Sequence, residues 1–162
     1  MKKTFPAIKS LLMVVVLVFP SHALSLEALV VSGKTSAGIS KTVSFNLEEF
    51  ESLAPLTEVI TSTPWHPVSS FSGISGVDFV ERIGLDGTTL LATAFDDYSV
   101  TIPRTDLTDL GLLFVTRLNG KRLTLREKGP IFVIYPFDDH PMLKSDLYYG
   151  RSIWQLKKIT VE

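Results

Sequence analysis

Leu112-Leu113-Phe114-Val115-Thr116-Arg117-Leu118-Asn119-Gly120-Lys121-Arg122-Leu123-Thr124-Leu125-Arg126 is the stretch on which the fold class turns. Asn-Gly is the preferred two-residue connection of a β-hairpin, because both positions must take positive φ to match the twist of the flanking strands. Apolar-rich arms stand on either side, so the sequence predicts strands over Leu112 to Leu118 and Lys121 to Arg126. The chain therefore contains a sheet whose neighbouring strands follow each other without a helical crossover.

Downstream, Ile131 to Tyr135 is a short, fully apolar strand, and Ile153 to Val161 reads as the last one. Upstream lie two more β-prone runs, Thr89 to Phe95 and Tyr98 to Ile102, joined through Asp96-Asp97. Ser75 with Asp78 places a cap before a helix carrying Val77, Phe79, Val80 and Ile83, and Gly84 supplies its stop. Thr57 to Thr63 is β-prone around Val59 and Ile60. Asn46 with Glu49 forms a capping box for a helix running through Leu53 to the breaker Pro55. Lys41 to Phe45 alternates polar and apolar, and Leu26 to Ser32 forms a first strand ending at Gly33. Ser69 to Gly76 and Pro136 to Arg151 read as loop-rich. Strands outnumber short, scattered helices, and strand and helix do not alternate. The expected architecture is a single strand-rich, mixed α+β domain.

Composition narrows the function. The 45% hydrophobic and 10% aromatic content argues for a packed core. Sixteen Lys plus Arg against seventeen Asp plus Glu argue against nucleic acid as partner. Zero cysteines exclude disulfides, thiolate-bound metals and a cysteine nucleophile. Lys2, Lys3 and Lys9, the apolar run Leu11 to Phe19, and small residues at Ser21 and Ala23 are laid out as a secretory signal peptide, cleaved after Ala23. Nine apolar residues fall short of the roughly 20 that span a bilayer. Residues 24–162 would then be a 139-residue periplasmic domain without a transmembrane segment, its formal charge moved from −1 to −4 by losing three lysines.

Generic catalytic patterns are missing. There is no Gly-rich phosphate loop and no Gly-x-Ser-x-Gly elbow. Asp138-Asp139-His140 with Asp146 could suggest a hard-metal site, but the irregular spacing fits a solvated acidic turn better. No serine is singled out as a triad nucleophile.

Several phrases, in order, resemble the molybdopterin-binding domain of the sulfite-oxidase fold. They are Phe71-Ser72-Gly73-Ile74 before the helix, Asp97-Tyr98-Ser99, Ile102-Pro103, Asn119-Gly120-Lys121-Arg122-Leu123, Gly129-Pro130-Ile131-Phe132-Val133-Ile134-Tyr135-Pro136, Ile153-Trp154-Gln155-Leu156 and Ile159-Thr160-Val161. Enzymes of that family hold molybdenum through a cysteine thiolate, in the segment that here reads Thr57-Glu58-Val59-Ile60-Thr61-Ser62-Thr63-Pro64-Trp65. A hydroxyl from Thr61 or Thr63 is a poor substitute for that soft ligand. The short, exported, cysteine-free chain looks like the periplasmic pterin-binding regulators of the same fold. That resemblance implies a pterin ligand without molybdenum, no catalysis, and a partner in the periplasmic domain of a membrane-bound signalling protein that controls cyclic-di-GMP. The alternative reading is a molybdopterin-dependent oxidoreductase, or a subunit of one, with a non-cysteine metal ligand. A third is a ligand-free docking module.

A pterin needs a carboxylate for its paired N–H groups and an aromatic platform for its ring faces. Asp97 is the leading acid, with Asp96 as a more solvated neighbour, and Trp154 the leading platform. Trp65, between Pro64 and His66-Pro67, is expected at a sheet rim. Tyr98 can offer a hydroxyl or a packed ring, and Tyr149 and Arg151 sit where a late loop could close over a ligand. His66 and Tyr135 complete the candidates.

Overall fold

Local capping and turn chemistry set where the elements begin and end. In the computed structural model, residues 26–162 are described. The export segment and its cleavage point after Ala23 fall outside the described residues. The chain runs β1 (Glu27–Lys34), β2 (Ser40–Asn46), α1 (Leu47–Glu51), β3 (Thr57–Thr63), β4 (His66–Ser75), α2 (Gly76–Ile83) and β5 (Thr89–Ala94). It continues with β6 (Ser99–Pro103), α3 (Arg104–Asp109), β7 (Leu113–Leu118), β8 (Lys121–Arg122), β9 (Phe132–Ile134), α4 (Asp146–Arg151) and β10 (Leu156–Val161).

The capping box is present. Asn46 Oδ1 accepts from the Glu48 and Glu49 amides at 2.9 Å each, and the Glu49 carboxylate accepts from the Asn46 amide at 2.9 Å. The helix stops at Glu51, short of Leu53, where the Ser52 hydroxyl donates to the carbonyls of Glu48 and Glu49. Ser75 caps α2 through the Asp78 amide, and Gly84 ends it in the left-handed region at φ 63°. Asn119 and Gly120 take φ 48° and 78°, the two positive values the hairpin turn requires.

Three expectations need correction. The second hairpin arm is two residues long, not six. A reciprocal cap between Thr124 and Glu127 turns the chain into a 3-10 turn at Leu125–Glu127 instead. Ser69 to Gly76 is not a loop, because β4 continues to Ser75, hydrogen-bonded to β3 on one side and β7 on the other. The final strand starts at Leu156 rather than Ile153, and α4 occupies part of the expected late loop. The short helix α3 carries no side-chain cap, so it left no local signal.

Two five-stranded sheets result. One has the order β2-β1-β10-β5-β6, with β1 and β10 parallel and the other pairs antiparallel. The other runs β3-β4-β7-β8, with β9 also paired to β7. The main core draws on both sheets and the helices, through Leu29, Phe50, Ile74, Phe79, Phe114 and Ile159. A second cluster of Phe71, Leu113, Val115, Leu123, Phe132 and Ile134 covers the opposite face of the second sheet. Gly73 and Ser72 pair with Val115 and Arg117, leaving Thr116 as a bulge. The bulge swaps faces along β7, so Leu118 joins Val115 in the second cluster although three positions separate them. That cluster ends at Trp65 and Trp154.

Candidate functional site

Beyond the second cluster lies a pocket of about 240 Å³ between the two sheets' loops. Trp65, in the tight turn between β3 and β4, forms one wall. Asp96 and Tyr98, from the β5–β6 turn, form another. Tyr149 and Gly150 from α4, with Ser152, Ile153 and Trp154 from the link to β10, close the third.

Trp65 is the hub of the aromatic wall. Its ring centroid lies 5.6 Å from Trp154 at 71°, 6.1 Å from Tyr149 at 78° and 5.9 Å from Phe132 at 65°. These are edge-to-face contacts, which fix ring orientation as well as bury area. Lys128 adds a cation: its Nζ sits 3.7 Å from the Trp154 ring centroid and 5.9 Å from that of Trp65. Among the described residues it makes no ion pair, and burial lowers its pKa. Sequence reasoning missed Lys128. Nothing in its neighbours reveals that the chain folds it onto an indole 26 positions away.

The β5–β6 turn divides its two acids. Asp97 takes a left-handed φ of 66°, and its exposed carboxylate accepts from the Lys157 ammonium at 2.7 Å. That contact holds Asp97 below the usual carboxylate range. Asp97 therefore serves β10, and it is Asp96 that lines the pocket. Asp96 Oδ1 accepts from the Tyr98 amide at 3.1 Å, while the Tyr98 hydroxyl donates to the Gly150 carbonyl at 3.2 Å. Tyr98 is 50% exposed and bridges the two rims.

Of the other candidates, Trp154 alone lines the pocket. Trp154 precedes the last strand instead of belonging to it. Arg151 turns away from the pocket and donates to Asp106 at 2.9 Å. Tyr135 is fully buried and donates to the same Asp106 oxygen at 2.7 Å, so burial and that carboxylate push its pKa far up. His66 packs on Phe71, its Nε2 is buried without a hydrogen-bond partner, and burial followed by the Lys128 charge lowers its pKa. Asp138 accepts from Lys144, from the Ser62 hydroxyl and from the Ser62 amide, which hold it well below the usual range. No group of three or more acidic or histidine side chains suited to a metal occurs among the described residues.

Fold and pocket together define a two-sheet α+β domain with an aromatic cleft that carries one acid at its rim. No protein-family model matches the chain, and no curated protein matches its sequence. Among solved structures it is similar to the sulfane dehydrogenase SoxCD from Paracoccus pantotrophus, with a TM-score of 0.58 and 12% identity. The likeness covers 82% of this chain and 37% of that chain, so this chain spans little more than a third of its neighbour. At that identity the likeness establishes a shared fold.

Residues here do not suit a protein-held molybdenum. The Thr61 hydroxyl donates to the Ser62 carbonyl and accepts from the Asp138 amide. The Thr63 hydroxyl accepts from the amides of Trp65 and His66. Both are committed to shaping the turn, and a neutral hydroxyl is a hard, weak ligand where that chemistry wants a thiolate.

Proposed function

We propose that this chain is an exported, periplasmic pterin-binding protein without catalytic activity, acting as the ligand-sensing partner of a membrane-bound signalling enzyme that controls cyclic-di-GMP. The observation that carries the reading is the convergence of both tryptophans of a cysteine-free chain on one pocket with an acid at its rim. At about 240 Å³ the pocket is smaller than the usual ligand cavity, which begins at roughly 300 Å³, and it suits one flat bicycle rather than a dinucleotide.

The available polar groups suit a ligand edge that carries paired N–H donors beside a carbonyl. The Tyr98 and Ser152 hydroxyl protons are already used on the carbonyls of Gly150 and Tyr148. Acceptor capacity remains on Asp96, Tyr98 and Gly150, which matches the 2-amino and ring N–H pair of a pterin. The indole N–H groups of Trp65 and Trp154 and the Tyr149 hydroxyl are donors available to its carbonyl. Trp65, Trp154, Tyr98 and Tyr149 supply ring contacts. Asp97, through Lys157, and Arg151, through Asp106, support the walls. The export segment and the resemblance to periplasmic pterin-binding regulators support the location and the signalling partner.

Isothermal titration with reduced and oxidised pterins tests the reading on folded protein. Saturable heat that weakens in Asp96→Asn, and survives in Asp97→Asn, is expected. No heat from either pterin at tens of micromolar overturns it. Stoichiometric molybdenum in protein purified from its native compartment overturns it equally.

A further inference from the structure

Five of the pocket's eight lining residues belong to the six-residue stretch 149–154, and Arg151 is the one member of that stretch that does not line it. The chain wraps around the cavity with its central side chain pointing away. The Arg151 guanidinium, 18% exposed, reaches Asp106 Oδ2 at 2.9 Å, and that oxygen also accepts from Tyr135 at 2.7 Å. Asp106 belongs to α3 and is 4% exposed; Tyr135 follows β9 and is fully buried. One buried oxygen thus joins α3, the end of β9 and α4.

Ile153 packs in the core, and Tyr149 and Trp154 make ring contacts, but the Arg151 pair is the buried ion pair that ties this stretch to another element. The helix α4 has six residues and no side-chain cap, too short to hold its own shape. The Ser152 hydroxyl bonds only locally, to the Tyr148 carbonyl at 2.9 Å, and the Tyr98 tie to Gly150 is exposed and 3.2 Å long; such bonds contribute little. Backbone bonds from Ile153 to Arg151 and from Val133 to Ile153, at 2.8 and 2.9 Å, transmit the anchor to the turn that carries Trp154.

We propose that Arg151 is a positioning residue: its pairing with the buried Asp106–Tyr135 couple sets the gap between the Tyr149 and Trp154 walls, and so restricts the pocket to a single flat ring. This rests on the pterin-binding reading but is tested apart from it. A side chain that touched the ligand directly would be freed, and binding kept or tightened, once Asp106 let go. A positioning side chain loses its effect when either partner is removed.

The test compares Arg151→Gln, Asp106→Asn, their double variant and Arg151→Lys. Three readouts are used: pterin titration, far-UV unfolding, and the emission of the two tryptophans, both of which line the pocket. Each single variant is expected to weaken pterin binding about tenfold, the double variant no further, as coupled residues behave. Tryptophan emission should shift to the red while cooperative unfolding persists. Arg151→Lys should recover part of the affinity, because it keeps the charge and loses the guanidinium geometry. Asp106→Asn binding within about threefold of wild type, or losses that add in the double variant, overturns the proposal. Where Asp106→Asn fails to fold, Arg151→Lys against Arg151→Gln decides, and equal affinity and equal emission in those two overturn it. If wild type binds no pterin the functional reading falls, and the emission shifts of the folded variants alone judge the positioning role.

Discussion

Replacing Glu51 with alanine removes the joint that ties α1 to the second sheet at the Thr116 bulge. The Glu51 side chain is 9% exposed, and its carboxylate accepts from Thr116 at 2.7 Å, from Arg117 at 3.1 and 3.0 Å, and from Arg122 at 3.1 and 2.6 Å. Bonds to a charged group contribute about 1.5–3 kcal/mol when sheltered. Arg117 and Arg122 are 32% and 43% exposed, so water takes up much of their loss and each falls to about 1 kcal/mol. Thr116 is fully buried, and its orphaned hydroxyl adds about 1 kcal/mol or more. The expected destabilisation is about 3 kcal/mol, or a melting point lower by about 10 °C for a domain of this size. Burial alone would raise the Glu51 pKa, but the bonds from Thr116, Arg122 and Arg117 together bring it below the ordinary glutamate value of 4.5. A depressed folded value means that the stabilisation is complete above pH 4.5 and is lost as pH falls through the folded value. The gap between wild type and Glu51→Ala should therefore be full at neutral pH and close under acid conditions. Urea unfolding at both, followed by circular dichroism, measures it. A neutral-pH difference below about 1 kcal/mol, or a gap that widens in acid, refutes the reasoning.

Gly73→Ala would drive a Cβ into the Phe114 carbonyl and the Val115 Cα of the neighbouring strand. Backbone cannot step aside there without parting β4 from β7, so a loss of about 3 kcal/mol or more is expected, and a wild-type melting curve would contradict it. His66, lowered by burial and by Lys128, should titrate by NMR with a midpoint under 6.5. Its contribution to stability is complete above pH 6.5 and declines as pH falls below it, and a midpoint above 6.5 would contradict the buried placement.

Much of the secondary structure was legible because its causes are local. Asn46 with Glu49, Ser75 with Gly84, and Asn119-Gly120 each state their geometry within two to ten residues. One error lies where distant partners overrule composition, another where one local pattern outcompetes another. The serines of β4 read as loop residues, yet β3 and β7 flank that strand and take its backbone bonds. The short second hairpin arm reflects a competing cap at Thr124, equally local but weaker as a pattern. Rim placement of Trp65 followed from its flanking prolines, and the pocket it lines also holds Tyr98, Tyr149 and Trp154.

By itself the sequence determined a strand-rich α+β chain, its capped helices, its hairpin turn, and the absence of any thiolate to hold a metal. Each depends on residue identity or on neighbours a few positions apart. Only the tertiary structure decided which acid faces the pocket, since Asp96 and Asp97 are adjacent and the choice is made by Lys157, 60 positions away. It likewise turned Arg151 inward to Asp106, 45 positions back, and laid Lys128 across Trp154. Charged and aromatic side chains carry no local signal of their partners. Their roles are set by which long-range pairs remove them from water, and that is known only once the sheets have packed.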